Sequence, residues 1–225
     1  MKPTIITIAG RKGGVGKTTL TLALAAHWAR NGESVVIIDA DHQSSATLTL
    51  GADFAGATTA AALESRSVPE PVPLETWPLV SLMASGPEME TVRPEKLKAT
   101  LSKLKARYVI ADLPPGKPDL DRAFLAASHV VLVALEPHFM ALAGAARLLA
   151  EVAGLSSKVA AVMGRVDNRR RIDAALGREL NAGLECPLFI VRQDSQLSAA
   201  LHSFTFPPVS QATEDVAKIA DWITQ

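Results

Sequence analysis

The sequence contains few of the residues that mark secreted or strongly charged proteins. Cys186 is the only cysteine among 225 residues, so an intrachain disulfide is excluded, which fits a reducing cytosol. Aromatic residues make up 4% of the chain and hydrophobic residues 48%, so the core must consist mainly of Ala, Val, Leu and Ile. Lys and Arg total 23, as do Asp and Glu, and the zero net charge favours neither nucleic acid nor membrane as a partner.

The sequence also lacks an apolar run long enough to cross a membrane. The most apolar stretch, residues 130–155, is interrupted at residues 136–138 by Glu, Pro and His, and a spanning helix needs ~20 consecutive apolar residues. The apolar run that follows Pro3 is too short for a signal peptide. An amphipathic segment at residues 214–223 carries acidic residues on its polar face, which favours packing against the core over membrane binding. We therefore expect a soluble, cytoplasmic protein without a membrane partner.

Short β-branched runs alternate with longer helical patterns along the chain. Most of the strand candidates are continuous apolar runs, as in strands that are buried on both faces of a parallel sheet. The alternation predicts a single-domain α/β fold over residues 1–225, a doubly wound, mostly parallel sheet with helices on both faces. The predicted strands are Thr4–Ala9, Val35–Asp39, Val80–Met83, Tyr108–Asp112, Val130–Leu135, Val159–Met163 and Leu188–Val191. The predicted helices are Lys17–Arg30, Pro94–Lys105, Phe139–Ala153, Arg170–Asn181 and Glu214–Ile223, and residues 52–78 are expected to be loop with at most one short helix.

A glycine-rich segment joins the first predicted strand to the first predicted helix, and residues 10–19 read GRKGGVGKTT. Glycines let backbone N–H groups approach phosphate oxygens, and the helix N-terminus adds further donors and a favourable dipole. In such a loop Lys17 contacts the β- and γ-phosphates of a nucleotide, and the Thr18 hydroxyl binds Mg²⁺. The predicted nucleotide-binding residues are Gly13, Gly14, Val15, Gly16, Lys17, Thr18 and Thr19.

The same segment resembles the deviant Walker A motif of the ParA/MinD family of P-loop ATPases. The resemblance is carried by Lys12, which precedes the glycine pair, and by the run GGVGKTT that follows it. It implies an ATPase that dimerises on ATP and uses Lys12 to reach the nucleotide of the other subunit. Such a lysine would neutralise charge in the transition state, as an arginine finger does.

Two acidic segments that follow predicted strands resemble the switch regions of the same family. Residues 39–43 read DADHQ, where the family usually has Asp-x-Asp-Pro-Gln. The resemblance places Asp39 near the water shell of Mg²⁺ and gives Asp41 the role of orienting or activating the attacking water. Asp112, which ends the run YVIAD, matches the Walker B aspartate, an outer partner of Mg²⁺. His42 replaces the usual proline, and we expect an exposed polar residue there rather than a proton-transfer group.

The resemblance covers residues 4 to about 150 well and is weaker beyond them. The family often has an asparagine at the end of its sixth strand that contacts adenine, whereas the aligned residue here is Gly164. Residues 189–194 are expected to lie near the base.

Arginines are concentrated between residues 165 and 192. Clustered arginines on a neutral protein form a local basic feature that DNA phosphates can contact. The resemblance supports this interpretation, because ParA dimers bind DNA without sequence preference. The alternative is a solvated helix face that is paired with acidic neighbours. The predicted DNA-binding residues are Arg165, Arg169, Arg170, Arg171 and Arg192.

The resemblance is closest to small plasmid and chromosome partition ATPases. It implies slow, partner-stimulated hydrolysis of ATP with Mg²⁺, a homodimer in the ATP state, nonspecific binding of double-stranded DNA on the nucleoid, and segregation of a plasmid or chromosome through a ParB-like adaptor. One alternative is a ParA-like positioner or regulator of a non-DNA cargo in a secretion, conjugation or polysaccharide system. The other is a metabolic enzyme such as an amide-forming ligase or an iron–sulfur carrier, although a lone Cys186 cannot hold a cluster.

Overall fold

The chain folds around one mixed sheet, whose central strands are parallel. The computed structural model describes residues 2–52, 58–64, 68–92, 94, 97–155 and 158–225. Across the sheet of eight strands in these ranges, the order is β3-β4-β2-β5-β1-β6-β7-β8, and β3 with β4 is the antiparallel pair. In chain order, the strands are β1 (Thr4–Ala9), β2 (Val35–Asp39), β3 (Val72–Pro73), β4 (Val80–Met83), β5 (Tyr108–Asp112), β6 (Val130–Leu135), β7 (Lys158–Val166) and β8 (Leu188–Arg192).

Helices connect most of the parallel strands and cover both faces of the sheet. A 3₁₀ turn at Pro87–Glu90 follows β4. Within the described ranges, no helix has the length and apolar character needed to cross a membrane. The α-helices are α1 (Lys17–Arg30), α2 (Ser45–Thr49), α3 (Thr59–Glu64), α4 (Leu97–Leu101), α5 (Pro118–Ala127), α6 (Phe139–Ala153), α7 (Arg171–Gly183), α8 (Ser195–His202) and α9 (Gln211–Thr224).

Strand β1 lies at the centre of the sheet and supplies side chains to both halves of the core. Ile6 and Ile8 belong to the apolar cluster that α1, α8 and α9 cover, and Ile5 and Ala9 belong to the cluster on the opposite face. This alternation follows from the two-residue period of a strand. Both faces are therefore buried, which explains why the strand reads as an uninterrupted apolar run.

The predicted doubly wound α/β fold is confirmed. Strands β1, β2, β4, β5 and β6 and helices α1 and α6 have the predicted bounds. Strands β7 and β8 extend beyond the predicted ends, and α7 and α9 differ from their predicted bounds by one to three residues. The C-terminal helix packs as expected, because its apolar residues, from Val216 to Ile223, are buried against the core.

The main errors of the sequence prediction concern helices that are short or weakly patterned. The helix predicted from Pro94 to Lys105 is reduced to α4, because the chain leaves the helix after Leu101 through turns that lead into β5; residues 95 and 96 lie outside the described ranges. Helices α2, α5 and α8 were not predicted. Within residues 52–78 the structure has α3 and the short edge strand β3, and residues 53–57 and 65–67 lie outside the described ranges.

Helix α8 ends on a residue in an unusual backbone conformation. Phe204 has a φ of 55°, the left-handed region in which glycine is usual. The amide of Thr205 donates to the carbonyl of Ala200 at 2.9 Å, and the amide of Phe204 donates to that of Leu201 at 3.4 Å. This pair of bonds is the Schellman motif, which closes helices with a left-handed residue. The Phe204 side chain is 51% exposed, so burial offsets little of the backbone strain.

We predict that Phe204→Gly is more stable than Phe204→Ala by about 1 kcal/mol, because only glycine adopts this φ without strain. Both substitutions remove the same aromatic ring, so their difference isolates the backbone. Urea unfolding followed by circular dichroism would measure it. Equal midpoints for the two variants would show that the left-handed turn carries no strain.

Candidate nucleotide-binding site

The predicted phosphate loop connects β1 to α1 at the carboxyl edge of the sheet. Strand β1 lies between β5 and β6, where the chain changes the direction in which it winds. Open α/β sheets bind ligands at such a switch point. A cleft of about 1150 Å³ opens there, and its lining includes residues 13–19, Asp41, Gly164 and residues 191–194.

The backbone of the loop is shaped to receive an anion. Gly14 and Gly16 have φ values of 79° and 90°, which a side chain would strain. Gly16 precedes α1 without a side-chain cap, and the first turn of α1 carries no acidic residue. The free N–H groups and the positive end of the helix dipole therefore face the cleft, as phosphate binding requires.

The two lysines of the loop are placed differently. Lys17 is buried, and its Nζ donates to the carbonyl oxygen of Lys12 at 3.3 Å, so the ammonium lies across the inside of the loop. This is where the β- and γ-phosphates bind in P-loops. The Lys12 side chain is exposed on the outside of the loop. The structure thus gives Lys17 to its own cleft and leaves Lys12 accessible to another molecule.

Asp112 lies beside the predicted magnesium ligand Thr18. The Thr18 hydroxyl donates to Oδ2 of Asp112 at 2.6 Å, whereas Oδ1 is buried without a hydrogen-bond partner among the described residues. Burial, followed by the charge of Asp39, raises the pKa of Asp112 to about 7. A buried carboxylate with one unpaired oxygen fits a bound cation or its water shell.

The donor set fits Mg²⁺ carried by a nucleotide rather than a metal held by protein alone. In the described part of the chain, no group of three or more His, Cys, Asp or Glu residues could hold a metal. Mg²⁺ is usually bound by one or two protein oxygens together with phosphates and waters. Thr18 and Asp112 supply this kind of partial shell next to the phosphate loop.

Asp39 organises the segment that follows β2. Its Oδ1 accepts from the amide of Asp41 at 3.1 Å, and its Oδ2 accepts from the amide and hydroxyl of Thr47 at 2.8 and 2.7 Å. Burial raises the pKa of Asp39 to about 6, although the bonds from Thr47 oppose this. The sequence reasoning missed Thr47, which carries no motif and whose role depends on the fold of α2.

Asp41 and His42 lie on the wall of the cleft. Asp41 is buried, and its Oδ1 accepts from the amide of Gln43 at 2.9 Å. The expected exposure of His42 is corrected: its side chain is only 29% exposed, and Nδ1 is buried 3.5 Å from Oδ1 of Asp41. The imidazole faces the carboxylate because the turn after β2 folds back into the cleft.

The far end of the cleft contains part of the expected base region. Gly164 and residues 191–194 line it. Phe189, which was expected near the base, packs instead against Trp222, with ring centroids 5.7 Å apart. Helix α8 supplies additional lining residues, which were missed because the helix was not predicted: Leu197, Ser198, Leu201 and His202.

The five predicted DNA-binding arginines do not form one free basic surface. Arg165 pairs with Glu136 at 3.0 Å, Arg169 with Asp167 at 2.9 Å, and Arg192 with Asp215 at 2.6 Å. Arg165 and Arg192 also line the nucleotide cleft. The remaining two, Arg170 and Arg171, are exposed at the start of α7.

Comparisons with known proteins agree with this site. The family model described as the CobQ/CobB/MinD/ParA nucleotide binding domain matches residues 6–204. The chromosome-partitioning ATPase Soj of Thermus thermophilus is 33% identical over 171 residues, covering 68% of this chain and 65% of that protein. The chromosome partitioning protein ParA of Myxococcus xanthus is 34% identical over 158 residues, covering 64% of this chain and 56% of that protein. The chain thus spans less than two thirds of the length of these relatives.

The fold is also similar to that of a solved nucleotide complex. The septum site-determining protein MinD of Pyrococcus horikoshii, complexed with Mg-ADP, has a TM-score of 0.83 and 20% sequence identity, covering 99% of this chain and 97% of that chain.

We predict that Lys17→Ala abolishes nucleotide binding, because it removes the buried positive charge from the inside of the phosphate loop. Titration of a fluorescent ATP analogue would measure the loss. Lys103→Ala is the matched control, since Lys103 is an exposed lysine that precedes β5 at the opposite edge of the sheet. Unchanged affinity in Lys17→Ala would mean that the phosphates bind elsewhere.

Proposed function

The chain belongs to the CobQ/CobB/MinD/ParA family of nucleotide-binding domains, and we propose that it is a partition ATPase that dimerises on ATP and binds DNA. The observation that carries this proposal is the arrangement of the two loop lysines, one buried within its own cleft and one exposed. A monomeric nucleotide-binding enzyme would need only the buried one. The names of the relatives Soj and ParA, which are chromosome-partitioning proteins, support the same biological role.

In the proposed reaction, Lys17 and the N–H groups at the start of α1 bind the phosphates of ATP. The Thr18 hydroxyl and the Asp112 carboxylate hold the Mg²⁺ site, and the bound ion would supply charge neutralisation at the β- and γ-phosphates. Asp39 belongs to this site as well, since it arranges the backbone that presents Asp41. Asp41 orients the attacking water, a role that its placement on the cleft wall supports.

Hydrolysis is proposed to need a second copy of the chain. The Lys12 ammonium would reach the nucleotide of the partner and neutralise the charge that develops in the transition state, as arginine fingers do. Its exposure leaves it free to make this contact. The ATPase is therefore expected to be slow in dilute solution and to rise with protein concentration.

We predict that Lys12→Ala retains ATP binding but loses dimer-dependent hydrolysis. The test mixes Lys12→Ala subunits, which bind ATP, with Lys17→Ala subunits, which keep Lys12 but cannot bind ATP. If Lys12 acts in trans, the mixture hydrolyses ATP although neither variant does so alone. Failure of the mixture to hydrolyse ATP, together with activity that follows only Lys12 in the nucleotide-bearing subunit, would contradict the trans role.

DNA binding is proposed to centre on the start of α7, where Arg170 and Arg171 are exposed. The pairing of Arg165, Arg169 and Arg192 with carboxylates reduces the charge that these three offer to phosphate. In an ATP dimer, two such basic points on one rigid body would raise the affinity through avidity, by ~100-fold or more. The ATP form would then reside on the nucleoid, and a ParB-like adaptor would connect it to a plasmid or chromosome.

We predict that the double variant Arg170→Ala/Arg171→Ala binds duplex DNA with a salt dependence lower by roughly two units, about one per lost phosphate contact. Arg169→Ala is the matched control, because Asp167 already pairs with that guanidinium. The measurement is fluorescence anisotropy of a random-sequence duplex against salt concentration, with ADP and with a slowly hydrolysed ATP analogue.

Each outcome of this experiment decides a different part of the proposal. Equal binding with both nucleotides would reject the nucleotide switch. An unchanged salt dependence in the double variant would place the DNA surface elsewhere on the chain. The absence of binding under all conditions would favour a positioner of a non-DNA cargo.

A further inference from the structure

Three consecutive side chains after β2 form a line that ends at the proposed water-orienting carboxylate. The Nε2 atom of Gln43 lies 2.9 Å from Nε2 of His42. On the other side of the ring, Nδ1 of His42 lies 3.5 Å from Oδ1 of Asp41. All three residues line the nucleotide cleft.

The contact with Gln43 determines which ring nitrogen of His42 carries the proton. An amide nitrogen is a donor only, so Nε2 of His42 must accept, and a neutral imidazole then carries its proton on Nδ1. A doubly protonated ring would set two donors against each other at this contact. The Nδ1–H group therefore faces Asp41.

The position of Nδ1 gives this proton a single acceptor. Nδ1 of His42 is buried and has no hydrogen-bond partner in the described part of the chain. The Asp41 carboxylate, at 3.5 Å, is close but beyond normal hydrogen-bond length. Contacts of this kind are often long in a nucleotide-free site and shorten when the ligand binds.

We propose that His42 and Gln43 are positioning residues that fix the Asp41 carboxylate for attack of water on ATP. When the site closes, the amide of Gln43 and Nδ1–H of His42 both donate to Oδ1 of Asp41. This leaves Oδ2 to accept from the attacking water. The inference rests on the proposed function, in which Asp41 orients that water.

The side chains are sheltered enough for this geometry to matter. The exposed fractions are 29% for His42 and 11% for Asp41, so water competes only partly for the carboxylate. Losing a residue that orients a functional group through a hydrogen bond lowers activity by about 10-fold or more, as it does for the outer partners of metal ligands.

The kinetic test compares four variants of the full chain. His42→Ala removes the donor, whereas His42→Asn places an amide N–H near the position of Nδ1. Gln43→Glu replaces the donor to Nε2 by an acceptor and draws the proton to Nε2. We expect kcat to fall about 10-fold in His42→Ala and Gln43→Glu with unchanged nucleotide affinity, and to recover largely in His42→Asn. His27→Asn, at the far end of α1, is the matched control and should retain full activity.

The structural test follows the imidazole itself. ¹⁵N shifts of His42, assigned by the loss of its signals in His42→Asn, should report the Nδ1–H tautomer in the unsubstituted protein and Nε2–H in Gln43→Glu. A merely structural role would not move the tautomer and kcat together. An Nε2–H tautomer in the unsubstituted protein, or full kcat in His42→Ala, would overturn the inference.

The same measurements separate this inference from the proposed function. If the unsubstituted protein hydrolyses ATP and Asp41→Ala is inactive, a fully active His42→Ala overturns the positioning role alone. If the unsubstituted protein does not hydrolyse ATP, or Asp41→Ala turns over normally, the proposed function fails and the role of His42 fails with it.

Discussion

The hydrogen bond between Thr18 and Asp112 joins the phosphate loop to the strand beside it, and the rest of the site depends on this connection. It forms because β1 and β5 are parallel and in register, with Ile8 opposite Asp112. The helix that begins after the loop therefore starts next to the carboxylate that ends β5. Any change that shifts β1 against β5 would separate the phosphate-binding backbone from the metal-binding oxygens.

The same edge of the sheet gathers negative charge in a buried place. Asp39 and Asp112 are opposite each other in the β2–β5 pair, and both have raised pKa values because burial disfavours the ionised form. The buried ammonium of Lys17 opposes this in part, since its charge lowers the pKa of Asp112. Such a cluster is poised to attract a cation, because a divalent ion would relieve both the burial cost and the mutual repulsion.

The sequence predicted the parts of the molecule that are written in local patterns. Buried parallel strands are short apolar runs, so β1, β2 and β5 were located to the residue, and the phosphate loop is a contiguous motif. What escaped prediction depends on contacts between distant residues. The pairing of Arg192 with Asp215, 23 residues apart, removed a predicted DNA contact, and the fold-back that buries Nδ1 of His42 has no sequence signature. Helix α8 escaped because its eight residues are too few for a clear apolar period.

The far end of the cleft is held by a single carboxylate that caps two helices. Oδ1 of Asp194 accepts from the amides of Gln196 and Leu197 at the start of α8, and Oδ2 accepts from the amide of Ala212 in α9. This has a consequence for the order of events during synthesis. The ribosome completes the phosphate loop within the first 19 residues, but the wall of the cleft opposite that loop cannot be fixed before residue 212 has emerged. The nascent chain therefore carries an unfinished cleft through nearly all of its translation, and its first tight binding of nucleotide should coincide with the docking of α9.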